Sequence, residues 1–176
     1  MCNTFIKCYF NVIFINKLPF NLLKTKLFID CIHKMEYFCS YQERCYADVH
    51  QKLSHFEISK TEKDEVFIHL IENNFLNEER YALAFAQGKH NIKKWGKIKI
   101  KNQLKYKGIS TKNIETALKS IDEELYNINF YSLAEKYWNN LLSKSIYNKN
   151  KFVNYLAAKG YETNKIYETL KEFENK

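Results

Sequence analysis

The sequence predicts an all-α chain in which three tandem three-helix repeats stack into an elongated, curved array. Three observations carry this prediction. The 176-residue chain holds only four glycines and one proline, and Pro19 lies ahead of every helix assigned below. So few breakers let helices run uninterrupted, whereas a sandwich or barrel needs frequent turn residues. The chain also matches itself. A shift of 52 residues places Ala82 on Ala134, Phe85 on Tyr137, Trp95 on Tyr147, Ile100 on Phe152, Leu104 on Leu156 and Gly108 on Gly160. The series continues with Ile109 on Tyr161, Ile114 on Ile166, Leu118 on Leu170 and Ile121 on Phe173. Each pair keeps its apolar or glycine character, and an ordered series at this period marks a stacked repeat architecture. Finally, the spacing within a copy is helical: Ile100 and Leu104 share a face, as do Ile114, Ala117, Leu118 and Ile121.

Taken in order, residues 1–24 read as an N-terminal extension outside the repeats. The apolar run at 9–15 is interrupted by Asn11 and followed by Lys17 and Pro19. It is too short to span a bilayer, and no small-residue cleavage site follows it, so a cytoplasmic chain without membrane attachment is expected. The first repeat occupies residues 25–75 and opens with a helix over 27–38. It is the faintest copy: a shift of 51 matches Leu53, Ile58, Phe67 and Leu70 to Leu104, Ile109, Leu118 and Ile121, but Glu57 stands where the others have glycine.

The second repeat, residues 76–125, has helices predicted over 78–90, 96–107 and 111–121. Asn77 can cap the first of them, and Glu78 and Glu79 suit the positive end of its dipole. Gly108 sits where a helix must end in a left-handed residue, and Ser110 can accept from the first amides of the next helix. The third repeat, residues 126–176, restates the pattern with Gly160 in the place of Gly108.

The net charge of +8 is concentrated. Residues 89–119 hold ten lysines against one glutamate, while residues 35–88 carry an excess of acid. A localised positive segment implies a localised anionic partner: nucleic acid, an acidic protein surface or an anionic membrane. Between 89 and 107 there are eight lysines and no acid. Lys97, Lys101 and Lys105 recur at helical spacing beside Ile100 and Leu104, and with Lys93 and Lys94 they form a ridge suited to tracking phosphates. Trp95, among these lysines, reads as an interhelical packing residue because its repeat partner is Tyr147. Arg80, beside Glu78 and Glu79, reads equally as a partner contact or as the surface arginine of a capped helix start.

All five cysteines (Cys2, Cys8, Cys31, Cys39 and Cys45) fall in the first 45 residues, an odd number that suggests reduced thiols rather than a disulfide framework. Cys39, Cys45, His50 and His55 are spaced by six, five and five residues, which places no ligand set on one helix face. A Cys–His nucleophile pair stays open among them, though nothing nearby supplies an orienting third group. Glu123 and Glu124 read as solvated residues of a helix end. No phosphate-cradling glycine loop exists, so the expectation is no catalytic site, no metal and no cofactor.

Several segments resemble one known family. Tyr37-Phe38-Cys39-Ser40-Tyr41-Gln42-Glu43-Arg44-Cys45 is similar to the first-helix segment of the RecX regulators of Bacteroidetes-type bacteria. Asn74-Phe75-Leu76-Asn77-Glu78-Glu79-Arg80-Tyr81-Ala82 with Phe85-Ala86 resembles the family's most recognisable stretch. Ile92-Lys93-Lys94-Trp95-Gly96-Lys97-Ile98-Lys99-Ile100 follows, with Leu104, Gly108, Ile109 and Ser110 in register. Val153, Leu156 and Lys159-Gly160-Tyr161 fit the closing repeat. The resemblance covers residues 27–174 and leaves 1–24 without support. It implies tandem three-helix units and a monomeric cytoplasmic regulator that binds the groove of the RecA–DNA filament. Its expected action is to modulate, usually inhibit, the RecA recombinase, with no enzymatic activity of its own. The alternative from charge alone is a sequence-independent nucleic-acid-binding module with no dedicated protein partner.

Overall fold

The computed structural model describes residues 26–141, 143 and 145–175. The extension at 1–24, with Cys2 and Cys8, lies outside the described residues. Among the described residues the chain forms nine helices and no strand. The first three are α1 (Lys26–Tyr41), α2 (Tyr46–Ser54) and α3 (Lys60–Glu72). A middle trio follows, α4 (Glu78–Lys93), α5 (Lys97–Tyr106) and α6 (Thr111–Lys119), and a last trio, α7 (Glu123–Asn139), α8 (Ile146–Lys159) and α9 (Thr163–Glu174).

Short polar side chains start most of these helices. Ser59 and Glu62 form a reciprocal capping box at α3, and the Asn77 side chain accepts from the Arg80 amide at 2.9 Å. Ser110 accepts from the Asn113 amide and Asp122 from the Leu125 amide. The Asp122 cap starts α7 at Glu123, ahead of the boundary that the repeat pattern placed after residue 125. Gly108 and Gly160 take the left-handed conformation at φ +77° and +91°. In the first unit α2 ends through His55 at φ −82°, so Glu57 can stand where the other copies need glycine.

Repeat partners share environments. Ile100 and Phe152 are fully buried in one core, as are Leu104 and Leu156, and Ala82 and Ala134. Ile114 and Ile166 are buried there too, and Gly108 and Gly160 both end helices. One pairing fails: Trp95 packs against the core, but Tyr147 is 68% exposed. The reason is helix length. The third unit's α8 begins at Ile146 and carries Tyr147 in its first turn, whereas α5 begins at Lys97, so Trp95 stays in the turn before it.

The buried residues form two cores. One lies within the first unit and includes Phe28, Met35, Val49, Leu53, Val66 and Leu70. The other runs from Tyr81 to Phe173 without a break and also takes in Cys45 at the start of α2. The second and third units therefore share one interior, and the first is joined to it by Cys45 and a set of polar ties.

Candidate partner-binding face of the middle unit

The lysine-rich segment is shaped by how α5 begins. Gly96 is its N-cap, no side chain caps it, and its first turn carries no acid. The free amides are met instead by the end of α8. The Gly96 amide donates to the Lys159 carbonyl at 2.9 Å and the Ile98 amide to the Gly160 carbonyl at 3.1 Å. The negative end of one helix thus abuts the positive end of another, satisfying groups that each would otherwise leave open. The approach is so close that a Cβ on Gly96 would lie 2.2 Å from the Gly160 carbonyl oxygen, and one on Gly160 would lie 2.3 Å from the Lys99 Cβ.

Aromatic hydroxyls complete this junction. The Lys97 amide donates to the Tyr126 hydroxyl at 3.2 Å, and that hydroxyl donates to Glu162 at 2.8 Å. The Tyr161 hydroxyl donates to the Lys94 carbonyl at 3.1 Å. Buried His90 donates from Nδ1 to the Trp95 carbonyl at 3.0 Å, leaving Nε2 to accept from Asn129 of α7 at 2.9 Å. A carbonyl can only accept, so this pair of contacts determines which ring nitrogen carries the hydrogen.

The predicted ridge divides on this frame. Lys97 is half-buried, paired with Glu123, and lies over the Tyr126 ring at 4.7 Å. Glu123 is solvated as expected, its side chain 67% exposed, and pairs with Lys97 from that position. Lys94 is the left-handed cap of α4 at φ 53° and is half-buried. Lys99 donates to the Ala158 carbonyl at 2.9 Å. Lys93, Lys101 and Lys105 are exposed, the last two one turn apart on the outer side of α5. Trp95 packs edge-on to Phe85 with Lys89 and Lys99 about its ring, in agreement with the packing reading.

Arg80 stays part-exposed but spends its donors within the chain. Its Nε donates to Glu43 at 2.5 Å, and its other nitrogens reach Asn74 and the Asn74 and Phe75 carbonyls. It ties α4 to the turn before it and to the loop between α1 and α2. Lys107 does the same from the far end of α5, donating to Asp48 at 3.0 Å. Burial works against charge on Asp48, but hydrogen bonds from Cys45 and Lys107 outweigh it and hold its carboxyl below the ordinary value. Likewise burial opposes charge on Lys107, and Asp48 more than compensates, so its ammonium is held above its usual range. Glu78, assigned from sequence to its own helix dipole, accepts from the Ser110 amide at 2.6 Å and from Asn113. Burial favours its neutral form, but those bonds prevail and lower its value.

Where the first unit meets α4, a groove of about 530 Å³ is lined by Arg44, Lys89, Lys93 and Lys107, by the acids Glu43 and Asp48, and by Phe85 and Ile92. Cys31, Cys39 and Cys45 are buried free thiols, and burial pushes Cys39 up to about 11. Among the described residues no group of three His, Cys, Asp or Glu side chains is placed to hold a metal ion, and no helix is long and apolar enough to cross a membrane.

Apolar faces used in stacking its own units, with surplus positive charge on one outer helix face, define a protein built from tandem three-helix units. The family model described as RecX, second three-helix domain, matches residues 77–118, the span from the Asn77 cap to α6. Regulatory protein RecX of Lactococcus lactis subsp. lactis (strain IL1403) is 36% identical over 131 residues, covering 71% of this chain and 48% of the relative. Regulatory protein RecX of Clostridium botulinum (strain Alaska E43 / Type E3) is 38% identical over 109 residues, 60% of this chain and 50% of that protein. The crystal structure of RecX from Lactobacillus salivarius has a TM-score of 0.70 at 26% identity, covering 83% of this chain and 95% of that one. A further RecX crystal structure, at 22% identity, shares the fold with a TM-score of 0.71, covering 83% of this chain and 72% of that one. The chain belongs to the RecX family of regulatory proteins. It spans about half the length of the curated relatives it matches.

Proposed function

We propose that this chain inhibits the RecA recombinase by binding in the groove of the RecA–DNA filament as a monomer in the bacterial cytoplasm. The exposed lysines of α5 are its anion-contacting ridge. The observation that carries this reading is the pair Lys101 and Lys105, exposed one turn apart on a helix whose adjoining stripe, Ile100 and Leu104, is fully buried and fixes which way they face. Lys93 extends the charge at the end of α4. Ammonium groups so placed contact phosphate or carboxylate without reading sequence, which suits a partner made of protein wound on DNA. Lys94 and Lys97 support the ridge by fixing the start of α5, and Arg80 supports it by orienting α4. The chemistry is occupancy of a binding surface, with no bond made or broken.

The test is RecA's DNA-dependent ATPase in the presence of wild type and of the double variant Lys101→Glu, Lys105→Glu. Wild type should inhibit, and the variant should lose at least about tenfold in potency with its helicity unchanged. Lys97 is left alone because reversing it would put two acids against each other at the junction with the third unit. Full inhibition by the double variant would remove the ridge from the inhibitory surface. The alternative, a nucleic-acid module without a protein partner, rests on the same lysines. Co-sedimentation across salt separates the two: the filament reading expects stronger retention on RecA-coated DNA than on bare DNA, and equal retention supports the alternative.

A further inference from the structure

The first unit carries excess acid in sequence, and three of its nine carboxylates are engaged in ion pairs within the chain. Glu36 pairs with His69 at 2.8 Å, Glu43 with Arg80 at 2.5 Å and Asp48 with Lys107 at 3.0 Å. The first unit also carries a groove of about 630 Å³ between α1 and α2 with no carboxylate among the described residues of its lining. Its cations are Lys34, Arg44 and Lys52, joined by His33 and His55. Its apolar floor is Phe38 and Phe56, with Tyr37 and Tyr41 beside them.

The rings are arranged for contact with flat ligands. Tyr37 and Tyr41, one turn apart on α1, lie nearly parallel with centroids 6.4 Å apart and planes inclined by 28°. They are 72% and 76% exposed, so their faces are not consumed by the core. Arg44 donates from Nε to the Phe38 carbonyl, which holds its guanidinium 3.9 Å from the Phe38 ring centroid, and Lys52 stands 5.8 Å from the same ring. Arg44 also lines the groove beside α4, where cations and the carboxylates Glu43 and Asp48 share the lining.

We infer that this face of the first unit is a stacking platform for single-stranded nucleic acid. Exposed aromatic faces flanked by cations, in a groove free of carboxylates, match what an unpaired strand presents: flat bases at intervals along a polyanion. A duplex keeps its bases stacked on one another and could use only the cations. An acidic peptide would use the cations and leave the tyrosine faces without a purpose. The strand's bases lie on Tyr37 and Tyr41, and its phosphates meet Lys34, Arg44 and Lys52. The inference does not rest on the filament reading, because the platform and the α5 ridge share none of these residues.

The experiment uses the full chain without RecA and a fluorescein-labelled oligothymidylate, with anisotropy read across a salt series. Wild type should bind. Tyr37→Ala with Tyr41→Ala should weaken binding at least about tenfold, with the salt slope unchanged. Tyr37→Phe with Tyr41→Phe should restore it to within about twofold. Lys34→Glu with Lys52→Glu should instead flatten the slope of log affinity against log salt by about 0.7 for each phosphate no longer neutralised. A duplex of the same length should lose less than about threefold on removal of the tyrosines. Absence of wild-type binding, alanine variants within about twofold of wild type, or an equal loss on duplex would each overturn the platform. Circular dichroism should show these surface variants folded as wild type, and the Lys101→Glu, Lys105→Glu variant, tested alongside, reports on the ridge separately.

Discussion

Gly96, Gly108 and Gly160 stand at helix ends but are required for different reasons. Gly108 has a left-handed φ and open space where a Cβ would go; Gly96 has an ordinary φ of −77° and no space; Gly160 has neither freedom nor room. Alanine substitutions should therefore form a graded series. Gly108→Ala should cost about 1–2 kcal/mol for the left-handed backbone alone. Gly96→Ala should cost about 1–3 kcal/mol for overpacking against a backbone that has little slack. Gly160→Ala incurs both penalties and should lose about 2–5 kcal/mol. Urea denaturation of the three variants measures this, and equal losses at Gly108 and Gly160 would refute the close crossing. The same reasoning explains Trp95. It sits in the turn that this crossing holds in place, so the indole packs against Phe85 while Tyr147, its counterpart in the repeat, lies exposed on a longer helix.

At the scale of elements, the joint between the first and second units is polar while that between the second and third is packed. The start of α2 and the end of α5 meet through Asp48 and Lys107, with the Cys45 thiol beside them. Because Asp48 is held below its unfolded value, the pair stabilises the fold fully above roughly pH 4, and that contribution is lost as pH falls through the lowered value. Lys107 is held above its unfolded value, so its contribution is present below roughly pH 10 and fades only in stronger base. Replacing Lys107 with Met removes the partner and lets Asp48 return toward its ordinary value. Wild type should then lose more stability than Lys107→Met between roughly pH 5 and pH 2, read as the shift in urea midpoint at each pH. Parallel pH profiles would exclude the ion pair as the source. The capped starts of α3, α4, α6 and α7 are local devices by contrast, and each is visible in sequence as Ser, Asn or Asp ahead of an apolar-periodic run.

Across the whole molecule, two interiors rather than three imply two cooperative blocks. Native-state hydrogen exchange in rising, subdenaturing urea should show amides of α1–α3 opening as one group and those of α4–α9 as another, because the latter share one continuous core. A single common opening energy would contradict this division. The helical class, the repeated pattern behind its units and the buried face of α5 were legible in the chain itself. Periodicity and capping act within a turn or two of helix, and a copied unit displays its core positions twice. The fate of the charges was not legible. Nothing near Lys97 in sequence points to Glu123, and nothing near Arg80 points to Glu43 or near Lys107 to Asp48, since these partners are brought together only when the units stack. Sequence by itself therefore determined most of the repeated apolar core positions and where several helices start. Tertiary structure alone decided which lysines remain exposed, because an ion pair between distant segments exists only once the chain has folded around it.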